Sequence, residues 1–371
     1  MKLEFGGFRG HFPDMAKATP AKPRRGRSAT SSTSAKPAPV NLALQGGGSH
    51  GAFTWGVIDR LLDDGRISFD GISGTSAGAI NAVVMVDGFV RGGADGARQS
   101  LENFWRDVSR AAQASPLRRS PIDLFFGNWN LDTSPAYIGF DLMSRLVSPY
   151  EFNPLNINPL RDLVDGHVDF DNVRHCAAMK LFVSATNVHT GKVKVFTGDE
   201  ITIDAVMASA CLPNLFQAVV IDDVPYWDGG YAGNPVLFPF HYACSAEDLL
   251  LVQINPIERK STPTTASEIM NRMNEISFNS SLLKELRAIE FVDRLLDQGA
   301  LDRETYSQVR LHRIDGGEAL AALQASSKFN AEWAFFAMLR DAGRAAASIW
   351  LDAHADKVGR ESSLPIKSLF T

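Results

Sequence analysis

The chain has 371 residues, 45% of them hydrophobic and 21% charged. At about 100–200 residues per domain that is one large domain or two ordinary ones, and the apolar content excludes a disulfide-held mini-protein, a collagen-like repeat and a wholly disordered chain. The net charge of −5 conceals an asymmetry: residues 1–40 carry eight basic side chains against Glu4 and Asp14, a local +6 that leaves −11 for residues 41–371.

The basic part comes first. Residues 16–40 combine Pro, Ser, Thr, Ala, Lys and Arg without a bulky apolar residue before Val40, so nothing there offsets the entropy of ordering, and a disordered leader is expected over 1–39. Its Arg24, Arg25 and Arg27 could touch anionic lipid, although a solvated extension is the simpler reading. From Val40 onward apolar runs alternate with helical periodicity: a buried strand over 40–45, a helix over 53–64 closed by Gly65, a strand over 69–73 and a helix over 77–89. Farther along, strands are expected over 181–188, 193–196, 218–221, 225–227 and 249–254, with a helix over 203–211. Strands embedded among helices imply an α/β sheet covered on both faces. After Pro263 strands are expected to vanish: Thr265 and Glu268 have the form of a capping box, apolar residues follow at three- and four-residue spacing to Leu296, and a second helical block runs over 332–350. The aromatic residues of that block suit a face packed on the sheet better than a face offered to lipid.

An acidic body lacks the basic face that releases counterions from nucleic acid, so no nucleic-acid partner is expected. Cys176, Cys211 and Cys244 are widely spaced with no CxxC pair, which supports neither disulfides nor a zinc site and suits a reducing, cytoplasmic compartment. No metal or other cofactor is expected. The opening MKLEFGGFRGHFP lacks a basic stretch followed by an apolar one, and no run reaches about 18 apolar residues, so neither a signal peptide nor a membrane span is expected.

Three segments carry chemistry. Gly74-Thr75-Ser76-Ala77-Gly78 is a G-x-S-x-G between an expected strand and an expected helix, the setting in which a sharp turn lifts a serine out of a sheet. Upstream, Gly46-Gly47-Gly48-Ser49-His50-Gly51 follows the first strand, and consecutive glycines let backbone N–H groups converge on an oxyanion or a phosphate. Gly46, Gly48 and Gly51 also fit the dinucleotide pattern G-x-G-x-x-G, but the acid that pattern needs at the end of the second strand is missing, because Asp70 precedes the apolar stretch and the serine turn occupies the strand end. Third, Asp228-Gly229-Gly230 ends a short apolar strand, where the acid is either a turn former or a partner for Ser76.

Together, in this order, GGGSHG, GTSAG and DGG resemble the patatin-like phospholipase family, and Ala208-Ser209-Ala210-Cys211-Leu212-Pro213-Asn214-Leu215-Phe216 and Asn234-Pro235 extend the similarity over about residues 40–256. The resemblance implies a three-layer α/β/α domain with a mixed, mostly parallel sheet over 40–256, and an α-helical extension over 257–371 packed on it. It implies a lipid acyl hydrolase of phospholipase A type with a serine–aspartate dyad: Ser76 as nucleophile, Asp228 as base, Gly46, Gly47 and Gly48 around the oxyanion hole, and Gly51, Gly74, Gly78, Gly229 and Gly230 shaping the turns. The partner would be a phospholipid or other lipid ester, met by transient contact with the inner membrane face. The family commonly has Arg or Lys where this chain has His50, so a fixed charge is replaced by one expected to titrate near pH 6.5. Residues 114–160, with Phe125, Phe126 and Trp129, are either a lid over an acyl channel or a buried connector. The rival readings are an esterase whose triad histidine is His241, His312 or His354, and a non-catalytic lipid-binding module.

Overall fold

A computed structural model describes residues 37–259 and 261–370, all within one unit, Lys36–Thr371. The leader up to residue 36 lies outside the described residues. Strand β1 (Ala38–Leu44) is buried from Val40 onward and takes β2 (Ile67–Gly74) and β7 (Asp248–Gln253) as parallel neighbours on its two sides. β3 (Lys180–Asn187) adds in parallel beyond β2, and β8 (Arg310–Asp315) adds in parallel beyond β7. β4 (Val193–Thr197) and β6 (Val224–Asp228) run antiparallel to β3, and β5 (Val219–Ile221) runs antiparallel to β6, so the sheet is mixed but mostly parallel.

Side chains alternate across this sheet, which forces two apolar faces. Leu42, Leu44, Leu250 and Val252 pack into one core, while Ala43, Leu249, Leu251 and Phe182 pack into the other. The first core is covered by α1 (Gly51–Asp64), by α2 (Ala77–Ala111), whose helical dihedrals lapse at Gly92 and Gly93, and by α12 (Trp333–His354). Between α2 and β3 come the short α3 (Pro121–Phe125), α4 (Pro135–Leu146), α5 (Pro149–Phe152), α6 (Pro159–His167) and α7 (Phe170–Arg174), and α8 (Ile203–Ser209) follows β4. The second core is covered by α9 (Phe238–Ala243) and α10 (Ala266–Asp297), and α11 (Gly317–Ala321) precedes α12. The result is the expected α/β/α layering with C-terminal helices against it.

α10 starts as read, with the Thr265 and Glu268 side chains each bonding the other's backbone N–H. α12 is a packed helix: Phe335 and Phe336 are fully buried, Trp350 nearly so, and of its large apolar side chains Ile349 faces outward. It lies so close to α1 that the Arg340 carbonyl fills the place of a Cβ on Gly56, and the Phe53 carbonyl that of one on Gly343. One expectation fails. The stretch after Pro263 does contain a strand, β8, whose sequence RLHRID hides it because its charged side chains break the apolar run of a parallel strand.

Those charges are neutralised internally. Asp248, at the start of β7, accepts hydrogen bonds from His312 Nε2 (2.9 Å), Arg310 Nη2 (2.8 Å) and the Gly359 amide (2.9 Å), while the other ring nitrogen of His312 meets Ser363 Oγ at 3.0 Å. Burial raises the Asp248 carboxyl, but the bonds from His312 and Arg310 outweigh it and hold the pKa at about 2. Because the folded pKa lies below the unfolded one, the stabilisation is complete above about pH 4 and is lost as pH falls toward 2. Asp248→Asn removes the buried charge that His312 and Arg310 both bond, leaving Arg310 with Glu247 alone, and should cost about 1–3 kcal/mol in urea denaturation at neutral pH; an unchanged transition midpoint would contradict this role.

Candidate active site

The pairing of β3 determines what meets at the C-terminal end of β2. Phe182 and Val183 pair with both β2 and β4, and Ala185 and Thr186 with both β4 and β6. β4 therefore occupies one edge of β3, and β2 and β6 share the other, one beyond the other. Gly74, the last residue of β2, is opposite Val183, and Asp228, the last residue of β6, is opposite Ala185. Two strands far apart in sequence thus end near one point.

β2 leaves that point through Thr75 and Ser76. Ser76 has φ 54 and ψ −122, a left-handed conformation costly for a residue with a side chain. The turn is held from several directions: the Ser76 amide donates to Ser209 Oγ (2.8 Å), the Thr75 amide to the Leu44 carbonyl (3.3 Å), and Thr75 Oγ1 to the Gly233 carbonyl (2.8 Å). Space requires glycine at two places. A Cβ on Gly46 would stand 2.8 Å from Ser76 Cβ and from the Thr75 carbonyl, and one on Gly78 would stand 2.4 Å from the Leu44 carbonyl. Gly51 packs on the Ala77 and Trp105 side chains, Gly74 on the backbone of the first turn of α2, and Gly229 on the Ser184 carbonyl, so these expected turn formers serve close packing.

Ser76, Asp228, Gly230 and Gly46–Gly48 line a common cavity of about 490 Å³. Much of the remaining lining is apolar, including Phe104, Trp105, Val108, Phe140, Leu215 and Phe336. Asp228 is 2% exposed and accepts a 2.7 Å hydrogen bond from the Gly230 amide. Burial pushes its pKa up to about 6, against the opposing pull of the Gly230 amide, the Ser76 hydroxyl and the Lys328 charge.

The glycine loop differs from its expected role in one respect. The Gly46 amide is already committed, donating to Asn234 Oδ1 at 2.7 Å. Among the described residues the Gly47 and Gly48 amides have no partner, so two of the three glycines carry free donors. The loop is clamped by buried amides: Gln45 Oε1 accepts from the Ile254 and Asn255 amides (both 2.9 Å), and Asn255 Nδ2 donates to the Gly46 carbonyl (2.7 Å).

His50 does not replace a fixed charge with a titrating one, as expected from its position. Its ring is buried, 2.7 Å from Ser327 Oγ, and burial together with the Lys328 and Arg259 charges holds its pKa well below the usual imidazole range. It is therefore neutral at pH 7. The residues lining the cavity include no histidine, and His312 is engaged with Asp248 and Ser363, so none of the three later histidines completes a triad with Ser76. Lys328, which carried no signal in the sequence, lines the cavity instead, donating to Asn255 Oδ1 at 2.8 Å.

A mixed, mostly parallel sheet between helices, with a serine turn beside a glycine loop at its strand ends, defines a three-layer α/β class of protein. The chain belongs to the patatin-like phospholipase family, whose model matches residues 42–243. It is accordingly a lipid ester hydrolase. Solved structures similar to it include VipD from Legionella pneumophila, at 16% identity and a TM-score of 0.42 over 86% of this chain and 67% of that one. Another is full-length ExoU in complex with SpcU from the type III secretion system of Pseudomonas aeruginosa, at 14% identity and a TM-score of 0.30 over 86% of this chain and 54% of that one. The chain thus spans about two thirds of VipD and about half of ExoU. None of the curated proteins compared matches it.

Gly46→Ala places a methyl group against Ser76 and should displace the turn. Labelling by a fluorophosphonate should slow about tenfold or more while the circular dichroism spectrum is kept, in line with the cost of about 1 Å of misplacement; an unchanged labelling rate would show that the turn tolerates the contact.

Proposed function

We propose that the chain is a phospholipase A-type acyl hydrolase in which Ser76 and Asp228 act as a dyad through an acyl-enzyme. The observation that carries this reading is the Asp228 carboxylate, buried and raised to about 6, beside a strained serine in a cavity with no histidine among its described lining residues. Asp228 takes the hydroxyl proton as Ser76 Oγ attacks the ester carbonyl, and the carbonyl oxygen accepts from the Gly47 and Gly48 amides. Asp228 then gives the proton to the leaving alcohol, takes one from the water that attacks the acyl-enzyme, and returns it to Ser76 Oγ as the acyl–oxygen bond breaks, releasing fatty acid and free serine.

A base with a pKa of about 6 must be ionised to work, so kcat/KM on a p-nitrophenyl ester should rise with pH through about 6 and level off above about 7. Asp228→Asn should lower kcat/KM about 10²–10⁴-fold, and Ser76→Ala should abolish both turnover and fluorophosphonate labelling. Full activity in either variant would remove the dyad.

Access to the cavity supports a membrane-borne substrate. α4 lines the cavity with Tyr137, Phe140 and Ser144 while exposing Ile138, Leu142 and Leu146, and α10 lines it with Met270 and Asn274 while exposing Met273 and Ile276. Phe125, Phe126 and Leu155, in the same 114–160 stretch, are each more than three-quarters exposed, whereas Trp129 and Leu131 pack inward, so the stretch carries an exposed apolar face on a partly buried base. Among the described residues no helix is long and apolar enough to cross a membrane. We infer that this exposed face rests on the lipid surface, and that residues 257–371 act with residues 40–256 as one catalytic unit, since β8, α10 and Lys328 complete its sheet and cavity. Leu142→Asp with Leu146→Asp should weaken co-sedimentation with phospholipid vesicles about fivefold or more and leave hydrolysis of a water-soluble ester within about twofold; undiminished vesicle binding would place the lipid contact elsewhere.

A further inference from the structure

Lys328 lies outside the segment matched by the family model, on the single turn Ala325–Phe329 that precedes α12. Its backbone carbonyl packs against the glycine loop, where a Cβ on Gly48 would come within 2.7 Å of it. From there the side chain reaches the cavity that holds Ser76 and Asp228. One of its three N–H donors goes to Asn255 Oδ1 at 2.8 Å, and the ammonium lies 5.7 Å from the centre of the Phe278 ring, itself packed over Gly230. Among the described residues it makes no salt bridge, although cations elsewhere commonly do; the other cation lining the cavity, Arg145, is paired with Asp141 at 3.0 Å.

An ammonium taken into a largely apolar cavity without a directly paired carboxylate is costly, and an anion that bonds it offsets that cost. Burial does lower its pKa, while Glu275 and Asp228 act to keep it charged. Two anions are available in ester hydrolysis: the transient oxyanion and a charge that the substrate carries throughout. The oxyanion already has the free Gly47 and Gly48 amides within the proposed mechanism. The same cavity is also lined by Asn271 and Asn274 from α10, polar groups that a pocket for hydrocarbon alone would not need.

We propose that Lys328, assisted by Asn271 and Asn274, binds the phosphodiester of a glycerophospholipid and so selects phospholipids over neutral acylglycerols. This deepens the acyl-hydrolase reading and rests on it. Lys328 is then a specificity-determining residue: it acts on substrate binding, and beyond lowering the Asp228 pKa it neither gives nor takes a proton.

The test compares three esters of one acyl length, dioctanoyl phosphatidylcholine, dioctanoylglycerol and p-nitrophenyl octanoate, in wild type, Lys328→Gln and Lys328→Arg. Measured on the alkaline plateau, where Asp228 is ionised with or without the Lys328 charge, Lys328→Gln should raise KM for the phospholipid about 10- to 100-fold more than for either neutral ester, the range covered by a charge-assisted hydrogen bond. Lys328→Arg should restore most of the loss. Equal losses on all three esters would assign the charge to the shared oxyanion or to loop geometry, and no loss on any would make Lys328 structural; either result overturns the proposal. Should Lys328→Gln fail to fold, wild type supplies the test through non-hydrolysable ether lipids: the ether phospholipid should compete about tenfold or more better than the ether diacylglycerol, and equal competition refutes it. Activity that survives Ser76→Ala would instead sink the dyad, so the two failures are distinguishable.

Discussion

Everything at the site depends on two strand exits lying against each other with no side chain between them. β1 and β2 are parallel neighbours at the centre of the sheet, and the loops that leave them touch at Gly46 against Ser76 and at Gly78 against the Leu44 carbonyl. That contact keeps the serine in a conformation it would not hold alone, and it brings the glycine loop and Ser76 to one cavity. A conformational cost of about 1–3 kcal/mol at Ser76 is sustained by the hydrogen bonds from Ser76 to Ser209 and from Thr75 to Leu44 and Gly233. The glycines are a packing requirement first and a signature second.

The electrostatics follow from the same burial. A carboxylate at the surface would be too weak a base, whereas Asp228 is sealed beneath Gly230 and Phe278, so its proton affinity rises toward the range useful at neutral pH. The sealing is done by α10, and the cation that limits the rise is Lys328, so the C-terminal third tunes the group that ends β6. His50 occupies a place where a charge was expected and is instead a neutral partner of Ser327. The positive charge of this site comes from the neighbouring residue in the same turn, one position after Ser327.

Legibility followed locality. The serine turn, the glycine loop and DGG are each written in a few adjacent residues, and their flanking strands are apolar runs, so both motifs and strands stand out. That Asp228 meets Ser76 depends on β6 continuing the line of β2 along one edge of β3, a matter of register that no local pattern records. The commitment of the Gly46 amide to Asn234 was hidden for the same reason, since the partners are 188 residues apart. β8 escapes the pattern because Arg310 and His312 answer Asp248 on β7, which only the fold brings together, while Arg313 and Asp315 pair with each other within the strand. Lys328 sits in a short polar run, and nothing in its neighbours distinguishes it from a surface lysine.

The central claim is that Ser76 carries the acyl group while Asp228 manages its proton. Acid-quenching the protein during turnover of a p-nitrophenyl ester and mapping the acyl adduct by peptide mass spectrometry tests it most directly. The account requires the adduct on Ser76 and its disappearance in Ser76→Ala. An adduct on another residue, or turnover with Ser76 never acylated, would contradict it.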